Sequence, residues 1–202
     1  MTVTGIAART PADSAEVAET TFRPWIAVKT NLLYDAAMTP NIEVERWMGK
    51  NNGWSIMGEA NFPWWQWHNK MRVYEVAEGS VELRRWLGRR HLHAGSKKLR
   101  PLTGHFLGLY AAGGYYDLEW DGKGEQGDFY SAGLAYGYSC RLSRHWNMEF
   151  SLAAGYIYSP YTHYDAMPNS DILIASYKKR LNYFGPTKLK VTLVWLIGKT
   201  KK

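Results

Sequence analysis

Two stretches of strict alternation, residues 128–142 and 147–159, meet at the turn Ser143-Arg144-His145-Trp146. In the first, Tyr130, Ala132, Leu134, Tyr136, Tyr138 and Leu142 form one row, opposite Phe129, Ser131, Gly133, Ala135, Gly137, Ser139 and Arg141. In the second, Met148, Phe150, Leu152, Ala154, Tyr156 and Tyr158 stand opposite Asn147, Glu149, Ser151, Ala153, Gly155 and Ser159. A period of two held this long predicts an antiparallel hairpin, because successive side chains on a strand point to opposite faces. The make-up of the rows narrows the fold further. A soluble sandwich would set its apolar row against a charged, wet one. Here the apolar row is aromatic-rich and the other is Gly, Ala and Ser. Tiny side chains suit the crowded concave face of a tightly curved sheet. Aromatics at the ends of an outward apolar row suit the levels where a bilayer meets water. The hairpin predicts part of a small transmembrane β-barrel.

A chain of 202 residues holds one domain, with or without a tail. No run approaches the ~18 apolar residues of a membrane-spanning helix, and mean hydropathy is -0.40. Neither excludes a barrel, whose alternating strands average out in hydropathy. The 10 Trp and 14 Tyr are enough to furnish two interfacial girdles. A formal charge of +7 raises a nucleic-acid partner, but the basic residues gather in one loop and at the C-terminal end. No nucleic acid is expected. Cys140 has no second cysteine to pair with and no metal-ligand spacing around it. On the outward row it reads as a small apolar side chain. Residues 1–21 lack a charged start followed by an apolar run, so either an exported barrel is represented here by a mature or trimmed chain or the membrane reading fails. The expected layout is a flexible leader over residues 1–22, a barrel over 23–198 and a basic tail over 199–202.

Eight strands are predicted. The first covers residues 25–34, with Ile26, Val28, Leu32 and Tyr34 on one face and Ala27, Lys29, Asn31 and Leu33 on the other. The second covers 41–48. After Gly49-Lys50-Asn51-Asn52-Gly53, whose Asn and Gly suit a hairpin turn, the third covers 54–62. The fourth covers 72–87, with a bulge expected near Glu78 and Gly79 where the alternation is muddled. The fifth covers 104–116, the two described above follow, and the eighth covers 183–197. With the termini on the periplasmic side, residues 35–39, 63–71, 121–127 and 160–182 would be outer loops, the last the longest connection. Residues 49–53, 88–103 and 143–146 would be inner turns. The 88–103 segment is too long for such a turn. Its Arg89, Arg90, Lys97, Lys98 and Arg100 make it a candidate partner loop, for anionic lipid, cell-wall polymer or a periplasmic protein.

Parity places ten charges inside: Lys29, Arg84, Arg141, Lys188 and Lys190 against Glu43, Glu45, Glu59, Glu82 and Glu149. Buried charges are tolerated only when paired and hydrogen-bonded. An eight-stranded interior is just filled by side chains. These residues are therefore expected to form an ion-pair network that pins strand register in an occluded lumen, not an open pore. Trp25, Trp54, Trp64, Trp65, Trp67, Tyr158 and Trp195 are the candidate interfacial aromatics; the Trp64, Trp65 and Trp67 group could also mark a partner surface. Ser159, His163 and Asp165 lie close in sequence at the rim of the last outer loop. They carry the alternative of a rim-based lipid-modifying enzyme, which requires a base within hydrogen-bond reach of the hydroxyl. His91 and His93 read as ordinary loop histidines. No cofactor or metal is expected.

The segments VKTNLLYDAAMTPNIEVE, GHFLGLYAAGGYYD, GLAYGYSCRLSRHWNMEFSLAAGYIYS and NYFGPTKLKVTLVW resemble a family of small outer-membrane barrels of Gram-negative gut anaerobes, known only as a domain of unknown function (DUF3575). The resemblance runs from about Lys29 to Trp195. It implies an outer-membrane β-barrel, sometimes encoded beside genes for cell-surface fimbria-like proteins, and brings no catalytic or ligand residues. The 88–103 insertion and the residues from Gly198 onward depart from the family's pattern. The expectation is an all-β, eight-stranded antiparallel up-and-down transmembrane β-barrel in a Gram-negative outer membrane. Its role would be non-enzymatic, anchoring or docking a cell-surface assembly among outer-membrane lipids. Besides the lipid-modifying enzyme, a soluble lipocalin-like ligand-binding barrel is the other alternative; it requires a wet exterior and an apolar cavity.

Overall fold

The computed structural model describes residues 21–49, 53–67, 72–87, 101–120, 123–166 and 173–201. They fold into β1 (Thr21–Asn31), α1 (Leu32–Ala36), β2 (Asn41–Met48), β3 (Trp54–Asn61), β4 (Trp64–Trp67), β5 (Arg72–Leu87), β6 (Gly104–Trp120), β7 (Lys123–Arg141), β8 (Trp146–Ala166) and β9 (Leu173–Lys201). Every strand pairing is antiparallel. β3 pairs with β5, and β1 pairs with both β2 and β9. Eight strands therefore close into an up-and-down ring, and the short β4 lies outside it, paired to the start of β5. Pro63 separates β3 from β4 because it has no N–H to give a neighbour; its carbonyl still accepts from Val76 N at 3.0 Å.

The alternation reads correctly through the ring. Ser55, Met57, Glu59 and Asn61 are buried along β3 while Trp54, Ile56 and Gly58 are exposed. The polarity is inverted relative to a soluble protein. Glu43, Glu45 and Arg84 are 0% exposed, whereas Leu109, Leu134 and Leu189 are 60%, 66% and 62% exposed. The tiny inward row makes room for larger interior neighbours. A Cβ on Gly108 would lie 2.1 Å from the Glu82 carboxylate, and one on Gly137 would lie 2.3 Å from the Phe106 ring.

The structure corrects several boundaries. The first strand ends at Asn31, not Tyr34, because the Asn31 side chain accepts the Leu33 N–H at 3.2 Å and caps one helical turn. Asn41 holds that turn closed by donating to Asp35 Oδ1 at 2.8 Å. No bulge occurs at Glu78 and Gly79, where the ladders to β3 and β6 run without a shift and Gly79 faces Gly113. The bulges lie at Trp25 in the β1–β9 ladder and at Thr187 in β8–β9, with a further shift beyond His163. Most of the expected outer loops are strand. β6 and β7 pair out to Trp120 and Lys123, and β8 and β9 out to Ala166 and Leu173. Both faces of these outer parts carry polar and aromatic residues, so no clean apolar row marks them as strand.

The two ends of the ring differ. At the end where β1 begins and β9 finishes, Pro101-Leu102-Thr103 turns inward with Leu102 at φ 58, a left-handed conformation unusual for a residue with a side chain. Leu102 packs with Ala27, Trp86, Phe106, Val194 and Leu196 and corks that end. Asn147 Nδ2 and Ser139 Oγ donate to its carbonyl at 2.9 and 3.2 Å. At the other end, β5 to β9 rise past the ring as an open, curved wall. Replacing Gly108 by Val is expected to destabilise the fold by about 1–3 kcal/mol through overpacking against Glu82. Gly58→Val, where an added Cβ meets nothing within 4 Å, should be close to neutral. Chemical denaturation of the two variants checks the contrast, and equal losses would refute it.

Candidate functional site

The interior of the ring is a stack of charges on a floor of aromatics. Phe106 is buried above the Leu102 cork, and the Arg84 guanidinium carbon sits 4.2 Å over its ring. Arg84 is the hub of the first layer. Its Nε donates to Glu82 Oε1 at 2.8 Å, and its Nη1 to Glu149 Oε1 at 2.8 Å and to Glu45 Oε2 at 3.0 Å. Lys29 Nζ closes the layer on Glu45 at 2.5 Å and Glu149 at 2.7 Å. Ser55 donates to Glu45 and accepts from Trp86 Nε1 at 2.8 Å, tying the charges to the cork.

A second layer lies toward the open end. Lys190 Nζ donates to Glu43 Oε1 and Glu59 Oε2, each at 2.8 Å. Lys188 Nζ reaches Glu78 Oε1 at 2.6 Å and Glu59 Oε2 at 3.0 Å. Above it, Tyr110 donates to Thr187 Oγ1 at 2.6 Å, across the lumen from β6 to the bulge in β9. The ion pairs draw on six of the eight ring strands, and all but Arg84–Glu82 tie one strand to another and so fix register between them.

Nine of the ten charges expected inside lie in the interior of the ring: Lys29, Glu43, Glu45, Glu59, Glu82, Arg84, Glu149, Lys188 and Lys190. Arg141 is a correction. It is exposed at the last pair of the β7–β8 ladder, and its Nε donates to Ser143 O at 2.9 Å. Opposite it, Asn147 occupies the interior against the cork. Glu78, which parity alone could have found because it falls in step with Glu82 and Arg84, joins the network in its place. Among the described residues the interior therefore holds four cations and six carboxylates, not equal numbers.

On the outside, Trp25, Trp54, Trp146 and Trp195 are exposed near the corked end, with Trp146 and Trp195 stacked at 6.3 Å. Phe62, Tyr115, Tyr130, Tyr156, Tyr183 and Phe184 are exposed toward the other end. Tyr158 is half-buried. Trp65 is half-buried too, its Nε1 donating to Met38 O at 2.9 Å, so it braces the wall against the turn after α1. The side chains of Trp64 and Trp67 lie outside the described residues, as do Arg89, Arg90, Lys97, Lys98 and Arg100.

The open end holds a cup of about 780 Å³ lined by Met38, Trp65, Tyr74, Leu118, Trp120 and His163 among others. His163 stands between Glu125 and Asp165, each at 3.4 Å, and stacks on Tyr177 at 4.9 Å. Ser159 is not part of this group. It is four residues down the same face of β8, roughly 13 Å away at about 3.3 Å per residue. It is buried, and its hydroxyl donates to Asp128 O at 2.8 Å. Ser159 and His163 are therefore not arranged as nucleophile and base. On the adjoining hairpin, burial and the nearby Glu75 carboxylate push Asp117 above the usual carboxylate range. Burial, with Asp117 and Glu75, does the same to Glu119.

Because carboxylates outnumber cations inside, removing a cation should cost more than removing an anion. Arg84→Met leaves Glu45, Glu82 and Glu149 with Lys29 alone and is expected to cost about 3–5 kcal/mol. Glu149→Gln leaves both cations with carboxylate partners and should cost less. Denaturant unfolding of the two variants measures the order, and a larger loss for Glu149→Gln would contradict it.

A family model described as a protein of unknown function (DUF3575) matches residues 12–197. No curated protein and no solved structure matches the chain. The matched span takes in the ring as far as Ile197 of β9, with all ten of the interior charges named above. On that coverage, the chain belongs to the DUF3575 family, whose function is unknown.

Proposed function

We propose that this protein is a small transmembrane β-barrel of a Gram-negative outer membrane, with an occluded, ion-paired lumen. Its role is that of an accessory protein that anchors or docks a cell-surface assembly. The observation that carries the reading is the inverted polarity of the ring. Charges are buried and paired within, while leucines, valines and aromatics cover the outside. In water such an exterior would be an aggregation liability; in hydrocarbon it is the stable arrangement. A ring in which each of the eight strands pairs with two neighbours also answers the other demand of lipid, that backbone N–H and C=O groups be bonded to one another.

The dimensions agree. The outward apolar rows span residues 54–62 on β3, 107–115 on β6 and 130–138 on β7. Eight rises of ~3.4 Å give about 27 Å along a strand, or about 21 Å at a tilt of ~40°, near the ~25 Å lipid-facing band of such barrels. The exposed Trp side chains at one rim and the Tyr and Phe side chains at the other sit where amphipathic aromatics are favoured. Arg85 lies over Trp54 at 5.1 Å, a position from which a guanidinium reaches the headgroups. The wall lies away from the start of β1 and the end of β9, which supports its being the side on which outer-membrane barrels carry their longer extensions. It is the part available to a partner, supporting the docking role that the family resemblance implies, beside fimbria-like proteins. Leu102, Arg84 and Lys190, all buried within the ring, support an occluded lumen.

Folding from urea into phosphatidylcholine vesicles tests this. The expected result is gain of β-sheet circular dichroism, quenching of tryptophan emission by chain-brominated lipid, and a gel band whose mobility changes on heating. A chain that folds to a stable monomer in plain buffer, unaffected by lipid, would overturn the membrane reading. A steady conductance in planar bilayers would overturn the occluded lumen.

A further inference from the structure

Above the ring the sheet has a free margin. β1 accompanies β9 only from Thr21 opposite Lys201 to Asn31 opposite Thr192. The next N–H, that of Val191, is taken by the Asn31 side chain at 3.3 Å. Farther up, residues 173–190 of β9 pair with β8 alone among the described residues. Every second N–H and C=O along an edge of this kind points away from its one neighbour. Residues 177–184 are all exposed. Their centre is Lys178-Lys179-Arg180, with the Lys179 ammonium 4.6 Å over the Tyr177 ring.

We propose that this edge of β9 takes up an extended, acidic segment of a partner protein as an added strand. The inference rests on the docking role proposed above and names the chemistry of what docks. Main-chain bonds from the edge would supply affinity, and the basic run would supply selectivity. Basic residues on an edge deter uncontrolled pairing, and here they deter the nearest competitor, a second copy of this chain. Two β9 edges laid antiparallel at their centres would set Lys178-Lys179-Arg180 against itself, and like charges directly opposite are unfavourable. An acidic strand reverses that sign. Lys178 and Arg180 project from one face and Lys179 from the other, as strand alternation requires. The matching segment therefore carries successive carboxylates, not carboxylates at every second position only.

The test uses the full chain in nonionic micelles and a displayed library of random ten-residue peptides. Selected peptides are expected to be rich in Asp and Glu. The tightest, added back, should slow amide hydrogen exchange in residues 177–184 on the order of tenfold. The triple variant K178E/K179E/R180E, checked for folding by its heat-dependent gel mobility, should turn the selection toward Lys and Arg. Peptides with no acidic bias, or acidic peptides that bind without slowing exchange on β9, would overturn strand addition. The same protection produced by anionic lipid alone would assign the basic run to a membrane surface and also overturn it. Failure of vesicle insertion removes the membrane reading without touching this result. Intact insertion with no protection of β9 removes only the added strand.

Discussion

A buried charge must find its opposite, and much of this molecule follows from that demand. Arg84 donates to three carboxylates from β2, β5 and β8, and Lys29 pairs with two of the same three. Because the charges take up much of the interior, most of the apolar side chains of the ring cover the outside. The carboxylate of Glu82 occupies the volume a side chain at position 108 would need, so that position is glycine. Register, composition of the inward row and the character of the surface are thus one constraint seen three ways.

The two ends of the sheet have different chemistry because different parts of the chain finish them. The corked end is apolar and is closed by a piece of the β5–β6 connection, with Leu102 held by hydrogen bonds to its carbonyl from Asn147 and Ser139. Among the described residues the other end has no cork. Its strands continue as a wall carrying His163, Glu125, Asp165 and the basic run on β9. The interior stabilises the ring and the wall offers surface, and the two share no ion pair among the described residues.

The ring could be read from sequence because side-chain parity is a local property with a global consequence. Glu43, Glu45, Glu59, Glu82, Lys188 and Lys190 all lie inside, as alternation from their strand neighbours demands. Parity reports side, not depth, which is why Arg141 reads inward yet lies beyond the filled interior. The wall was not readable. Around Tyr161, His163, Lys178 and Arg180 both faces meet polar surroundings, so strands there look like loops. The cork was not readable either. A leucine after a proline in a basic segment gives no sign that it will cross to Val194 and Leu196.

The pairing of β1 with β9 closes the ring between its first and last strands. Lys190 and Glu43 stand 147 positions apart, and Lys29 and Glu149 stand 120 apart. Neither contact exists in a partly assembled sheet, where the carboxylates of β2 and β8 would wait without their lysines. Completion of the seam and neutralisation of the interior are therefore the same event. That makes assembly cooperative: an incomplete ring has little to hold it together, and a sealed one has no easy first step by which to open.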